Sequence, residues 1–298
     1  METLAIALLG FFAVGYFVLA GADIGTGMLA PYLGRSDRER RLVIASFAPF
    51  FLGNEVWLVA TAGLLIGCFP ALEGELLSGQ FPVVVTLLAG WVVRDMGLWL
   101  RGRVGGDRSA GGDGSAGASA GSSAGGARGG TDAGARGRAD GPEAGGGRGW
   151  RLVCDTAVAG GSWILALAWG RLLAGLFSGS PESPAGGPVA VLITLAVAAL
   201  FAVHGLGFAV LRLTGDPYAR ARVLVGGAAR TWQSFALTSA LMAALPLLGG
   251  LRLPLAESAG SSIGLLVPAL LVVTPLLVAV QAWMWRTFRG RVTRPSYL

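Results

Sequence analysis

Four residues that carry ionisable chemistry stand inside otherwise apolar runs: Asp23, Glu55, Arg94 and His204. Charged groups in lipid are costly. They face a partner, a water-filled path or one another. Two carboxyl groups of this kind are suited to holding and releasing protons, so Asp23, Glu55 and His204 are the candidates for a proton path. Glu55 and Arg94 also have a plainer reading, a structural ion pair. A further alternative has Arg94 reaching toward the aqueous side beside Asp95. His204 has the plain reading of a neutral histidine bonded to a neighbouring helix. Asp23 lies among Gly21, Gly25 and Gly27, where small residues let helices approach closely.

The chain that positions these residues has 298 residues, 53% of them hydrophobic and 13% charged. Its mean hydropathy is +0.64. Soluble domains carry about 25% charge. A helical span needs roughly 20 apolar residues, and lipid admits only helices or closed barrels. The apolar blocks do not alternate as barrel strands do. The expected fold is therefore all-α, a polytopic transmembrane bundle of about seven spans. The spans read as Leu4–Leu33, Ala45–Phe69, Phe81–Leu100, Leu152–Phe177, Val189–Leu211, Thr231–Gly249 and Ile263–Phe288. Met1 and Glu2 precede the first span without a basic region, so that span is expected to be retained.

Orientation follows from arginine, because the chain has no lysine. Alternate connections are Arg-rich: Arg35, Arg38, Arg40 and Arg41, then Arg101, Arg103 and Arg151, then Arg212, Arg220, Arg222 and Arg230, then the tail after Arg286. The positive-inside rule predicts an outside N-terminus and a cytoplasmic C-terminus in a bacterial inner membrane. This pattern accounts for the pI of 10.3 without nucleic-acid binding. On that topology the four ionisable residues fall in the cytoplasmic half, with Asp23 roughly 15 Å from the inner end of its span. Cys68 and Cys154 fall near opposite ends of the bundle, which argues against a bond between them. Neither belongs to a metal-ligand cluster.

The organisation reads as residues 1–103 with spans one to three, 104–149 as a flexible Gly/Ala/Ser-rich cytoplasmic linker, and 150–298 with spans four to seven and a short tail. Leu100-Arg101-Gly102-Arg103 echoes Phe288-Arg289-Gly290-Arg291, which suggests a parallel repeat of spans 1–3 and 5–7. Ser36-Asp37-Arg38-Glu39 fits a capping box at the start of span two. Trp150, Trp283 and Trp285 read as interfacial belt residues, with Trp163 deeper.

Three stretches together carry a family resemblance. They are Gly15 to Leu29 (GYFVLAGADIGTGML) running into Leu33 to Arg41, then Gly53-Asn54-Glu55-Val56-Trp57-Leu58, then Ala199 to Gly205 (ALFAVHG). They resemble subunit II of cytochrome bd-type quinol oxidases, in the family's order. The resemblance implies a complex that oxidises membrane quinol and reduces oxygen to water. Haem b and haem d would sit in a larger, haem-bearing subunit I, and this chain would pack against it. It would bind no cofactor of its own, contact membrane lipid and the quinol pool, and bind no nucleic acid. The residues agree independently, because His204 is the single histidine and haem iron needs axial ligands. The family's acid before Gly-Asn-Glu-Val-Trp is replaced by Leu52, and its Glu before the first Arg-Gly by Trp99. A further apolar span of the family is missing, and the Gly/Ala linker reads as an insertion. These departures bear on proton handling more than on fold. Two other classes fit the composition: a secondary transporter with Gly-interrupted helices, or a structural membrane protein that kept the fold without oxidase activity.

Overall fold

The computed structural model describes residues 1–106, 144–226 and 231–294. Their regular structure is helical: α1 (Glu2–Leu33), α2 (Asp37–Cys68), α3 (Pro70–Gly79), α4 (Phe81–Gly106), α5 (Ala144–Phe177), α6 (Gly187–Arg212), α7 (Gly215–Leu224), α8 (Thr231–Gly250) and α9 (Ile263–Thr287). Seven of these, all but α3 and α7, are long and apolar enough to cross a membrane. They coincide with the seven expected spans, so the chain is a multi-pass membrane protein. Most of the segment read as a linker, 107–143, lies outside the described residues. Helices α4 and α5 each continue a few residues into it, to Gly106 and from Ala144.

Helix α2 starts at Asp37, well before the apolar run at Ala45, and its cap explains why. The Ser36 hydroxyl accepts the Glu39 N–H at 3.2 Å, and Glu39 accepts the Ser36 N–H at 3.2 Å. This is the expected capping box, which satisfies two donors that a helix start leaves orphaned. Glu39 also takes the Arg35 N–H at 2.7 Å and both terminal nitrogens of Arg220 on α7 at 2.9 and 3.0 Å. The Glu39 carboxylate holds the Arg220 guanidinium above its ordinary pKa. One side chain thus closes the α1–α2 turn and fastens α7 to it.

The other arginines of this end cross-link helices too. Arg101 of α4 bonds Asp155 of α5 and reaches Asp37 of α2 at 3.3 Å, while Arg40 reaches the same Asp155 at 3.0 Å. Arg212, at the end of α6, donates to the carbonyls of Phe288 and Gly290 just past α9. Val292 returns a backbone bond to Arg212 at 2.8 Å. The two Arg-Gly echoes therefore make different contacts. Cys68 and Cys154 are free and buried, at opposite ends of the bundle.

Helix α1 is the centre of the bundle and packs against α2, α5, α6 and α8, whereas α4 lies on α5 and α9 sits at the edge on α2 and α1. In lipid, association rests on close van der Waals contact and hydrogen bonds, and small residues make that possible. Gly25 and Gly205 bring α1 and α6 into backbone contact. A Cβ on Gly25 would overlap the Phe201 carbonyl, and one on Gly205 would overlap the Gly25 backbone. Thr26 adds a hydroxyl bond to Gly205 O at 3.1 Å. Gly205→Leu is expected to cut the monodisperse fraction on size-exclusion chromatography at least tenfold. Gly63→Leu, where a Cβ meets open space, should leave it unchanged. Equal behaviour of the two variants would show that the α1–α6 seam tolerates separation.

Candidate functional site

The polar residues of the interior converge where α1, α2 and α4 meet. Asp23 is 2% exposed and accepts at both oxygens. Arg94 of α4 donates to Oδ1 at 2.9 Å, and Asn54 of α2 donates to Oδ2 at 2.8 Å. Asn54 also reaches the Leu19 carbonyl at 3.1 Å. Behind it, Gln281 of α9 donates to Asn54 Oδ1 at 3.0 Å, and Trp57 donates to Gln281 Oε1 at 3.4 Å. An indole N–H can only donate. The chain Trp57→Gln281→Asn54→Asp23 therefore runs one way and ends on the carboxylate.

Arg94 is itself 2% exposed. Its second terminal nitrogen reaches Asp95 at 3.4 Å, and the Phe47 and Phe51 rings lie 5.8 and 5.9 Å from its guanidinium carbon. Its Nε is buried without a hydrogen-bond partner. Asp23 is thus the closest ion-pair partner of Arg94. The pair expected between Glu55 and Arg94 is not among the ion pairs of the described residues. Glu55 instead accepts the Trp91 indole N–H at 2.8 Å and lies within hydrogen-bond reach of Asp95. The physical reason is helix azimuth. Asn54 and Glu55 are neighbours in sequence but about 100° apart around α2, so Asn54 turns to α1 and Glu55 to α4.

His204 is a separate feature. It is fully buried, its Nδ1 lies 2.9 Å from the Thr238 hydroxyl of α8, and its Nε2 lies 2.9 Å from the Val18 carbonyl of α1. The Nε2 partner is an acceptor, so Nε2 carries a proton. The ring stacks on Phe235 at 4.8 Å. Among the described residues no hydrogen bond joins it to Asp23 or Glu55. The structure thus unites Asp23, Arg94 and Glu55 through Asp95 and leaves His204 apart. It also adds Asn54, Gln281, Trp57 and Trp91. Gln281 carried a signal, as a lone amide in the apolar run of α9.

A bundle of seven apolar helices with a buried ion pair and a one-way hydrogen-bond chain defines a multi-pass membrane protein with a polar centre, and its first three spans hold most of that centre. Residues 1–121 match the family model of cytochrome bd terminal oxidase subunit II. The chain is 37% identical to cytochrome bd-I ubiquinol oxidase subunit 2 of Escherichia coli (strain K12) over 97 residues, covering 33% of this chain and 26% of that protein. It is 41% identical to cytochrome bd ubiquinol oxidase subunit 2 of Bacillus subtilis (strain 168) over 92 residues, 30% of this chain and 27% of that one. A probable cytochrome oxidase subunit 2 of Haemophilus influenzae is 32% identical over 91 residues, 30% of this chain and 24% of that one. Together these matches show that part of this chain is similar to subunit II of that family. The matched stretch spans about a quarter of the length of these relatives.

Proposed function

We propose that this chain is subunit II of a cytochrome bd-like terminal oxidase. In this reading a haem-bearing subunit I oxidises membrane quinol and reduces oxygen to water, and this chain supports it without ligating haem. The observation that carries the reading is the coincidence of the matched residues 1–121 with the Asp23–Arg94–Asn54 centre. The one histidine of this chain does not fit the role of an axial ligand to haem b or haem d. Both ring nitrogens of His204, the single histidine, lie 2.9 Å from other groups, so neither is free to ligate iron. The haems are assigned to subunit I.

Within such a complex, Asp23 and Glu55 line a polar route from the Arg-rich end toward the subunit boundary. Asp95 links them through Arg94. The Arg-rich end is cytoplasmic in this reading, which is the side from which an oxidase draws its chemical protons. Reporter fusions after Arg294 and after Ser262 should read inside and outside respectively. The reverse pattern would overturn this orientation.

The central test is purification of the chain from its native membrane with its partners. A haem-bearing polypeptide, a reduced-minus-oxidised haem spectrum and quinol-driven oxygen uptake are expected together. A chain that purifies without a haem-bearing partner and transports a solute when reconstituted would establish the transporter class instead.

A further inference from the structure

Three arginines are buried among the described residues: Arg94, Arg101 and Arg212. A guanidinium stays charged in a protein, and a buried charge is costly without a partner of opposite sign. Two of the three have one. Arg94 pairs with Asp23, and Arg101 pairs with Asp155. Arg212 has no ion pair among the described residues. Its bonds there run to the backbone carbonyls of Phe288 and Gly290, and both leave from Nη1. Its Nε is buried and makes no hydrogen bond.

The side of the guanidinium that remains is the one best shaped for an oxyanion. Nε and Nη2 carry two parallel N–H bonds, a fork that matches two oxygens of a carboxylate or phosphate. Arg101 shows the same edge in use, with its Nε and Nη2 on Oδ1 and Oδ2 of Asp155. A second buried donor without a partner lies nearby, the Trp285 indole N–H. The Trp285 ring system and the Arg212 guanidinium carbon both rest against Phe50, at 5.0 and 5.1 Å from its centroid.

Depth and surroundings select the oxyanion. Arg212 is the last residue of a membrane-spanning helix, which puts it at the level of lipid headgroups. Arg286 and Arg289 are exposed at the end of α9 beside it and enter no ion pair among the described residues. Helix α9 leads to this corner with an exposed apolar stripe, Leu276, Val280 and Trp283. Basic residues at headgroup depth beside an apolar wall suit an anionic phospholipid, with its phosphate on arginine and its chains along the helix.

We propose that the α6–α9 corner binds one anionic phospholipid, its phosphate taken by the Nε–Nη2 edge of Arg212 with the Trp285 N–H as second donor. The lipid supplies the negative charge that the described residues do not. Arg212 also holds the carbonyls that follow α9. The lipid therefore helps to fasten an edge helix that carries Gln281 of the polar centre. The site does not depend on the oxidase reading.

The test is native mass spectrometry of the full chain, with any partners that copurify. The protein is released from nanodiscs of phosphatidylcholine alone or of phosphatidylcholine mixed with phosphatidylglycerol. One phosphatidylglycerol is expected to stay on the native chain. Arg212→Lys keeps the charge but removes the fork, and should reduce retained lipid at least tenfold. Trp285→Phe keeps a ring against Phe50 and removes the second donor. It should lower retention severalfold, and it carries the test if Arg212→Lys fails to fold. Arg38→Gln, at an exposed arginine of the same end, should change nothing. A native chain without retained lipid would overturn the proposal. So would equal retention of phosphatidylcholine, an equal loss in Arg38→Gln, or full retention by either folded variant of the site. Inorganic phosphate added to the chain in detergent separates the two sources of this chemistry. A melting temperature raised as much by phosphate as by phosphatidylglycerol would make this a free-anion site and sink the lipid.

Discussion

Arg94→Met is expected to destabilise the chain by about 3–5 kcal/mol, the range found when one partner of a buried ion pair is removed. The purified chain should show this as a large fall in melting temperature and a low yield. The cause is Asp23. It is 2% exposed and takes one of its two side-chain bonds from Arg94. Methionine fills the space between Phe47 and Phe51 but donates nothing. Replacing both partners, as Asp23→Leu with Arg94→Met, should recover much of the loss, because a buried pair exchanged for apolar residues is often neutral. Melting temperatures of the two variants in the same detergent decide the matter. A single variant as stable as the native chain would mean that Asp23 finds another donor.

Asp23→Asn is expected to lower quinol-driven oxygen uptake at least tenfold in complexes matched for haem content, with the haem spectrum unchanged. The change is nearly isosteric, yet it conflicts with the direction of the hydrogen bonds. Both Asp23 oxygens accept, from Arg94 and Asn54. An amide offers one oxygen and one N–H group, so its nitrogen must face one of two donors. If it faces Asn54, that amide must flip. Gln281 must then flip in turn and present its own N–H groups to the Trp57 indole, which cannot accept. One donor is left unsatisfied, at a cost of about 1–3 kcal/mol. The complex should still assemble while the polar route loses its carboxylate. Full oxygen uptake in this variant would leave Asp23 a structural counter-ion and nothing more.

The seven spans were legible because a bilayer demands long apolar runs, and the capping box because its spacing is local. Helices α3 and α7 were not legible. Each has 10 residues, too few to show a clear period, and each lies in a connection of mixed polarity. At the polar centre, sequence placed Asp23, Glu55 and Arg94 inside spans but gave no azimuth. Arg94 stood within reach of either acid by depth alone, and the rotation of α4 against α1 and α2 decided for Asp23. Asp95 was visible only as a neighbour of Arg94. Its place beside Glu55 needed the side-chain bridges between α2 and α4, which residue types do not encode.

The spacing of contacts along the chain bears on how the protein is made. Asp23 meets Asn54 31 residues later and Arg94 71 residues later, whereas the Thr26 bond to Gly205 spans 179 residues. At about 5–20 residues per second of synthesis, Arg94 follows Asp23 by about 4–14 s and Gly205 follows Thr26 by about 9–36 s. The residue that pairs with the first helix's carboxylate is therefore synthesised well before the helix that covers its glycine face. During that interval the partner of the acidic group has already been made, while the helix that covers the small residues has not. The order in which the ribosome delivers these segments places the electrostatic problem first and the packing problem second.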